Sequence, residues 1–277
     1  MKTPLLPLLL LAAGPLSAQE LTVTPVTGGI HMINGRGGNI GVCAGGDGLL
    51  LIDAKFARLA EPMRAALAGL GEGDPAFLLN THYHGDHTGG NAVFGAVTPI
   101  LAHHNVRARL LAGEDPPPES LPVLTFEDGV SLHFNGEEIE VVHFPAAHTD
   151  GDAVVFFTGS DVVHMGDIMF HGLFPYVDID AGGSVDGVIA AVEAVLARIG
   201  PETRVIPGHG ELATPDDLRT YLRMIRETRA AVEDGMAAGL GLEELQAAGV
   251  AEEWSGWSWR FISAERWIAT LHRGAGG

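Results

Sequence analysis

Short apolar runs separated by glycines dominate the first third of the chain. They predict strands over residues 21–24, 29–33, 39–44, 49–53 and 76–79. Between the last two strands, apolar side chains recur at three- and four-residue intervals, which predicts a helix over residues 56–70 that ends at glycines. The last of these strands leads directly into a polar loop that begins at Asn80.

The rest of the chain shows the same order of strands followed by helices. Alternation over residues 131–144 surrounds Asn135-Gly136, a strong hairpin signal, and further strands are predicted over 153–157, 161–165 and 204–206. Helices are predicted over residues 103–111, 184–199 and 257–271, and from an N-cap at Thr214 onward. This order predicts an α/β fold of two similar halves, each a mixed sheet with helices on its outer face.

The first eighteen residues have the features of a secretory signal. Lys2 precedes a short apolar stretch, and the small-residue triplet Leu16-Ser17-Ala18 comes before Gln19. We therefore expect a signal peptide over residues 1–18, cleavage near Ala18, and a periplasmic or secreted protein with one domain over 19–277. No later run has the roughly 20 apolar residues of a membrane helix, so no membrane anchor is expected.

Charge and cysteine content narrow the classes of partner. Thirty-five acidic against 16 basic side chains give a net charge of −19, which disfavours binding to nucleic acid and leaves a small molecule as the expected partner. The single cysteine, Cys43, cannot form an internal disulfide and lies in an apolar run, so we expect it to be buried. The four tryptophans, all near the C-terminus, are expected in the core or in an interface.

A dense cluster of metal-binding side chains follows the strand that ends near residue 79. Residues 82–87 read His82-Tyr83-His84-Gly85-Asp86-His87, with four potential ligands within six positions. An extended backbone would point His82, His84 and Asp86 to one side, and a turn at Gly85 would bring in His87. Such side chains come together around a divalent cation, which neutralises the carboxylate and binds the imidazoles.

This segment resembles the H-x-H-x-D-H signature of the metallo-β-lactamase superfamily. The later motifs of that family follow in order, with His148 in Ala147-His148-Thr149-Asp150, Asp167 after Met165-Gly166, and His209 in Pro207-Gly208-His209-Gly210. Asp53, after Leu51-Ile52, stands where family members carry an aspartate that supports the site. The resemblance implies a four-layer αββα sandwich with the metal site at one edge of the two sheets.

The resemblance also implies the ligands of two zinc ions. The first ion would be bound by His82, His84 and His148, and the second by Asp86, His87 and His209. Asp167 would bridge the ions or bind the second alone. A metal-bound hydroxide would then attack a substrate carbonyl, with Asp86 orienting the nucleophile.

The residues after Asp167 depart from the β-lactamases that this spacing resembles. Those enzymes carry Cys at Asp167 and, three residues later, a Lys that holds the substrate carboxylate, where this chain has Phe170 followed by His171. The expected reaction is therefore hydrolysis of a lactam, lactone, ester or thioester, with a β-lactamase proper as one alternative. A mono-iron enzyme similar to persulfide dioxygenases and a non-catalytic zinc-binding envelope protein are alternatives of other classes.

Several further residues are candidates with weaker signals. Phe170 and His171 are candidate substrate contacts, and Tyr176 lies on the same loop, where it either donates a hydrogen bond to a developing oxyanion or packs. Residues that hold metal ligands by hydrogen bonds are expected at Asp53, Thr81 and Asn91.

Overall fold

The structure is a computed structural model that describes residues 21–276. The predicted signal peptide, residues 1–18, lies outside the described residues. Among residues 21–276, no helix is both long and apolar enough to cross a membrane.

The first sheet has seven strands in the order of the sequence. It is antiparallel up to the fourth strand and parallel from there on. Its strands are β1 (Thr22–Thr27), β2 (Ile30–Asn34), β3 (Ile40–Gly45), β4 (Gly48–Ile52), β5 (Phe77–Asn80), β6 (Ile100–His103) and β7 (Leu124–Phe126).

The second sheet has five strands, β8 (Gly129–Phe134), β9 (Glu137–His143), β10 (Ala153–Phe157), β11 (Val162–His164) and β12 (Arg204–Ile206). β8, β9, β10 and β11 pair antiparallel, while β11 and β12 are parallel. The predicted hairpin joins β8 to β9 through Asn135 and Gly136, whose φ angles of 56° and 78° fit the turn that Asn-Gly favours.

The part of the chain that the structure describes also contains eight α-helices. They are α1 (Ala60–Leu67), α2 (Gly85–Thr88), α3 (Asn91–Phe94), α4 (His104–Leu111), α5 (Val185–Arg198), α6 (Pro215–Ala237), α7 (Leu242–Ala248) and α8 (Ala264–Ala275). The start of α6 is the predicted one: the Thr214 hydroxyl accepts from the Asp217 backbone N–H, the Asp217 carboxylate accepts in return, and Pro215 is the first helical residue.

Three buried clusters define four layers. The inner faces of the two sheets meet through residues such as Ile30 and Leu50 of the first sheet and Val141 and Val155 of the second. Helix α1 packs on the outer face of the first sheet, and α5, α6 and α8 cover the second. This arrangement confirms the predicted αββα sandwich, and the buried Cys43 belongs to its centre.

Two predicted elements differ from the structure. Asp86 and His87 lie in α2, a single helical turn, so the extended backbone expected over residues 82–86 ends at His84. The helix predicted over 257–271 is also wrong at its start. A 3-10 helix spans Glu252–Trp257, residues 258–263 are irregular, and α8 begins after an N-cap at Ser263.

Candidate metal centre

Loops that follow strand ends bring the predicted ligands to one edge of the sandwich. His82 and His84 follow β5, and α2 comes next along the chain. His148 lies in the connection from β9 to β10, Asp167 in the turn after β11, and His209 in the loop after β12. Both sheets therefore contribute side chains to the same place.

The seven side chains form two groups that could each hold a metal ion. Within each group, one possible ligand atom per residue lies within 4.8 Å of all the others. One group is His82, His84, His148 and Asp167, and the other is Asp86, His87 and His209. Apart from the position of Asp167, this is the division into two sites that the family resemblance implies.

Asp167 lies between the two groups. Its Oδ1 is 3.0 Å from Nε2 of His87, and its Oδ2 is 3.4 Å from Nε2 of His209. Oδ2 is also 3.6 Å from Nε2 of His148. Asp167 is therefore within reach of imidazoles of both groups.

Buried polar atoms without partners point into this cluster. Within residues 21–276, Nε2 of His82, Nε2 of His87 and Oδ1 of Asp167 are buried and make no hydrogen bond, although the last two are only 3.0 Å apart. A buried polar atom without a partner destabilises the folded state, so such atoms rarely occur together without a shared ligand. The arrangement fits a cation.

The carboxylates set the protonation of the second group. Burial lowers the pKa of His148 in the first group to about 4. Burial also acts against the charged form of His209, but the carboxylates of Asp167 and Asp86 outweigh it and raise that pKa to about 9. The same carboxylates raise the pKa of His87 well above its usual value despite burial. At neutral pH a cation therefore competes with protons for the second group.

Asp53 and Thr81 contact two of the clustered imidazoles on the side away from the cluster. The Asp53 carboxylate accepts hydrogen bonds from the Thr81 backbone N–H and hydroxyl, each 2.7 Å long, and lies 2.7 Å from Nδ1 of His87. The Thr81 hydroxyl lies 3.0 Å from Nδ1 of His82. These contacts leave Nε2 of both imidazoles facing the cluster.

His84 is held by Asp178, which is held in turn by Tyr83, and the sequence identified neither contact. Its Nε2 lies 3.0 Å from Oδ2 of Asp178, and the same oxygen accepts a 2.6 Å hydrogen bond from the Tyr83 hydroxyl. Nδ1 of His84 then faces Nε2 of His148 at 2.9 Å. The only signal in the sequence is that a metal-binding imidazole needs a partner for its other nitrogen, which does not say which residue supplies it.

The side chains of Asn91 and His171 form their hydrogen bonds with residues outside the cluster. The Asn91 amide pairs with Asn80 and with the Ser120 carbonyl, and within residues 21–276 it makes no hydrogen bond to any of the seven clustered side chains. His171 turns away from the cluster, because its Nδ1 lies 2.9 Å from the Glu211 carbonyl oxygen. His171 is not among the residues that line the cavity above the cluster, so its role as a substrate contact stays a prediction.

Phe170 and Tyr176 do line this cavity. The Phe170 ring stacks on His209 at 5.0 Å between ring centroids, and the Tyr176 ring lies 5.6 Å from His84. The Tyr176 carbonyl also lies 2.7 Å from Nδ1 of His148, a contact that orients the imidazole.

Two glycines allow the ligands to approach the backbone. A Cβ at Gly38 would lie 2.1 Å from Cε1 of His87, and a Cβ at Gly208 would lie 2.1 Å from Oδ1 of Asp167. Only glycine fits at either position.

Sequence comparison finds relatives that are named as a hydrolase and as a lactamase-like protein. The chain is 31% identical to a hydroxyacylglutathione hydrolase of Polaromonas sp. over 134 residues, 48% of this chain and 47% of the relative. It is 27% identical to the lactamase-like protein aptB of Emericella nidulans over 175 residues, 61% of this chain and 51% of the relative. The chain thus spans about half the length of the curated relatives it matches.

Solved structures and a family model agree on the fold. A metallo-beta-lactamase from Pontibacter korlensis matches with a TM-score of 0.64 and 17% identity, over 75% of this chain and 99% of the other. A sec-alkylsulfatase from Pseudomonas sp. matches with a TM-score of 0.69 and 17% identity, over 91% of this chain and 50% of the other. The family model described as metallo-beta-lactamase superfamily matches residues 33–209, which include all seven clustered side chains. The chain belongs to the metallo-β-lactamase superfamily.

Proposed function

We propose that the protein is a hydrolase that binds two zinc ions and cleaves a carbonyl compound, namely a lactam, lactone, ester or thioester. The observation that carries the proposal is the pair of ligand groups with Asp167 between them, at the floor of an open cavity. A closed structural zinc site has four ligands and is usually rich in cysteine, whereas Cys43 lies in the core between the sheets.

The groups around the cluster fit this reaction. Bound zinc ions acidify water and polarise a carbonyl oxygen. The Asp86 side chain is 22% exposed against 5% for Asp167, so its carboxylate can also accept a hydrogen bond from an attacking water on the cavity side. Burial raises the pKa of Tyr176, which keeps its hydroxyl protonated and able to donate to a developing oxyanion.

The names of the relatives support an acyl substrate. Several of them are hydroxyacylglutathione hydrolases, which makes a glutathione thioester one substrate to test. The β-lactamase alternative is tested in the same way with a chromogenic cephalosporin.

The test is a panel of four substrates with purified, zinc-loaded protein: a chromogenic cephalosporin, a lactone, a glutathione thioester and a phosphodiester. We expect turnover of at least one of the first three, loss of that turnover with a chelator, and recovery when zinc is added back. An Asp167→Asn variant should lose the activity, while Asp161→Asn, an aspartate at the far end of β11, should keep it. Turnover of the phosphodiester alone would reject the proposal.

We further propose that the protein is exported, on the basis of the N-terminal pattern over residues 1–18. N-terminal sequencing of protein from the producing cell should begin at Gln19. A mature chain that still begins at Met1 would contradict it.

A further inference from the structure

A cavity of about 930 Å³ lies over the metal ligands. Its floor includes His84, Asp86, Asp167 and His209. This volume is at the upper end of those that bind small organic molecules, and it far exceeds what water and a small acyl group need. The side chains above the floor should therefore select the substrate.

Aromatic rings form much of the wall. They are Phe56, Tyr83, Phe170, Tyr176, Trp259 and Phe261. The Trp259 ring lies 5.5 Å from His209, and Phe261 lies 5.7 Å from Trp259 and 5.3 Å from Tyr176, measured between ring centroids. Phe261 is 47% exposed and is continuous with the other rings, so the wall presents an apolar patch rather than a single exposed side chain.

The wall is held in place by contacts with the rest of the fold. The Trp259 indole N–H donates to the Phe174 carbonyl at 2.9 Å, and the Trp259 backbone N–H donates to the Ile262 carbonyl at 3.0 Å. The Arg266 guanidinium lies 4.4 Å from the Phe261 ring centroid and donates to the Phe261 carbonyl. Trp259, Phe261 and Arg266 lie beyond the segment 33–209 that matches the family model, so this part of the wall lies outside the family match.

Two cationic side chains at the cavity have no polar partner within residues 21–276. Most arginines of residues 21–276 bind a carboxylate or a backbone carbonyl, but the exposed Arg36 and Arg260 do neither, and both line the cavity. The two guanidinium groups at this cavity are therefore free to bind an anion. A guanidinium group binds a carboxylate through two parallel hydrogen bonds.

We propose that the substrate is an amphiphilic anion, an acyl compound with a flat apolar group and a carboxylate. The apolar group packs on Trp259 and Phe261, and the carboxylate binds Arg260, with Arg36 as the second cation. This inference rests on the proposed hydrolase function for the reacting bond, but the ligand class rests on the wall and the two arginines alone.

Binding of a matched pair of probes tests the proposal. Isothermal titration calorimetry on the zinc-loaded protein compares 2-naphthylacetate with the neutral 2-naphthylacetamide, which have the same ring. We expect the carboxylate to bind at least about tenfold more tightly, because a charge-assisted pair adds that much when partly exposed to solvent. Equal affinities, or no binding of either probe, would overturn the proposal.

Variants separate the two parts of the site from binding to zinc. Arg260→Gln should remove most of the tenfold preference and leave amide binding unchanged, whereas Phe261→Ala should weaken both probes about equally. Arg204→Gln is the control, because Arg204 is also exposed and without a polar partner but does not line the cavity. If Arg260→Gln and Arg36→Gln both keep the preference, the carboxylate binds zinc instead, and the proposal is wrong. A loss of equal size in Arg204→Gln would attribute the preference to overall charge and would also refute it.

The calorimetric result is independent of turnover. Carboxylate selectivity without hydrolysis of any panel substrate would reject the proposed reaction and keep the ligand class. Hydrolysis without this selectivity would support the proposed reaction and reject the ligand class.

Discussion

Replacing Asp53 with Asn should weaken one of the two proposed zinc sites while preserving the fold. Asp53 has a φ angle of 70°, a conformation that Asn tolerates better than most residues. One of its carboxylate oxygens accepts from the Thr81 backbone N–H, and the other accepts from the Thr81 hydroxyl and faces Nδ1 of His87. Because the backbone N–H can only donate, the Asn carbonyl must take its side, and the Asn NH₂ must face His87.

The size of the expected loss in zinc affinity follows from a change in the tautomer of His87. An NH₂ group opposite Nδ1 requires a lone pair there, which moves the proton to Nε2, the atom that faces the metal cluster. The change also removes a buried charge-assisted hydrogen bond that contributes about 1.5–3 kcal/mol. Since about 1.4 kcal/mol corresponds to a tenfold change, affinity for the zinc ion at Asp86, His87 and His209 should fall about ten- to hundredfold.

Zinc titration against a competing chromogenic chelator measures this effect. Wild type should show two sites, and Asp53→Asn should show one site unchanged and one weakened. The control is Asp161→Asn, because Asp161 also has a positive φ angle, 53°, and accepts from a threonine hydroxyl, that of Thr203, away from the cluster. A two-site titration of Asp53→Asn that superimposes on wild type, with both proteins folded by circular dichroism, would refute the reasoning.

Three further predictions concern other parts of the structure. Asp178→Asn should lower zinc affinity at the other site about tenfold, because His84 loses the carboxylate that fixes its ring; the same titration would detect this, and a loss confined to the site of His87 would contradict it. Burial, reinforced by the neighbouring imidazoles, lowers the pKa of the His103 side chain to about 4, so the folded protein loses stability as the pH falls from about 6.5 toward 4. His103→Asn keeps an N-cap acceptor and should flatten this part of a plot of the urea midpoint against pH. Parallel plots for the variant and wild type would be evidence against this prediction. Thr214→Ala should cost about 1 kcal/mol of unfolding free energy through loss of the capping box, whereas Thr214→Ser should cost little; equal losses in a urea titration would exclude the cap as the cause.

The metal ligands and several local structures were predictable because their signals are short in sequence. His82, His84, Asp86 and His87 lie within six positions, and the chemistry of a cation selects their types whatever the surrounding fold. The signals for the Asn135-Gly136 turn and for the start of α6 at Thr214 each lie within a few residues, in the backbone preference of Asn-Gly and in the capping box. The alternation of strands and helices, with the family resemblance, was enough for the αββα sandwich.

The partner of His84 could not be read from the sequence. Asp178 lies 94 positions away, and only the packing of the two sheets brings the loops that carry the two residues together. Asn91 shows the converse: an amide close in sequence to the ligands was expected to hold one of them, but it pairs with Asn80 at the end of β5 instead.

The cavity wall is the clearest case in which tertiary structure decided. Apolar spacing over residues 257–271 fits a helix, and the four tryptophans fit a core, as Trp254 and Trp267 confirm. Trp259 instead lies in an irregular segment, because its indole donates to the Phe174 carbonyl and its backbone N–H donates to the Ile262 carbonyl. Local periodicity measures only how a segment would pack as a helix, whereas the indole bond depends on a residue 85 positions away, which becomes a neighbour only in the folded protein.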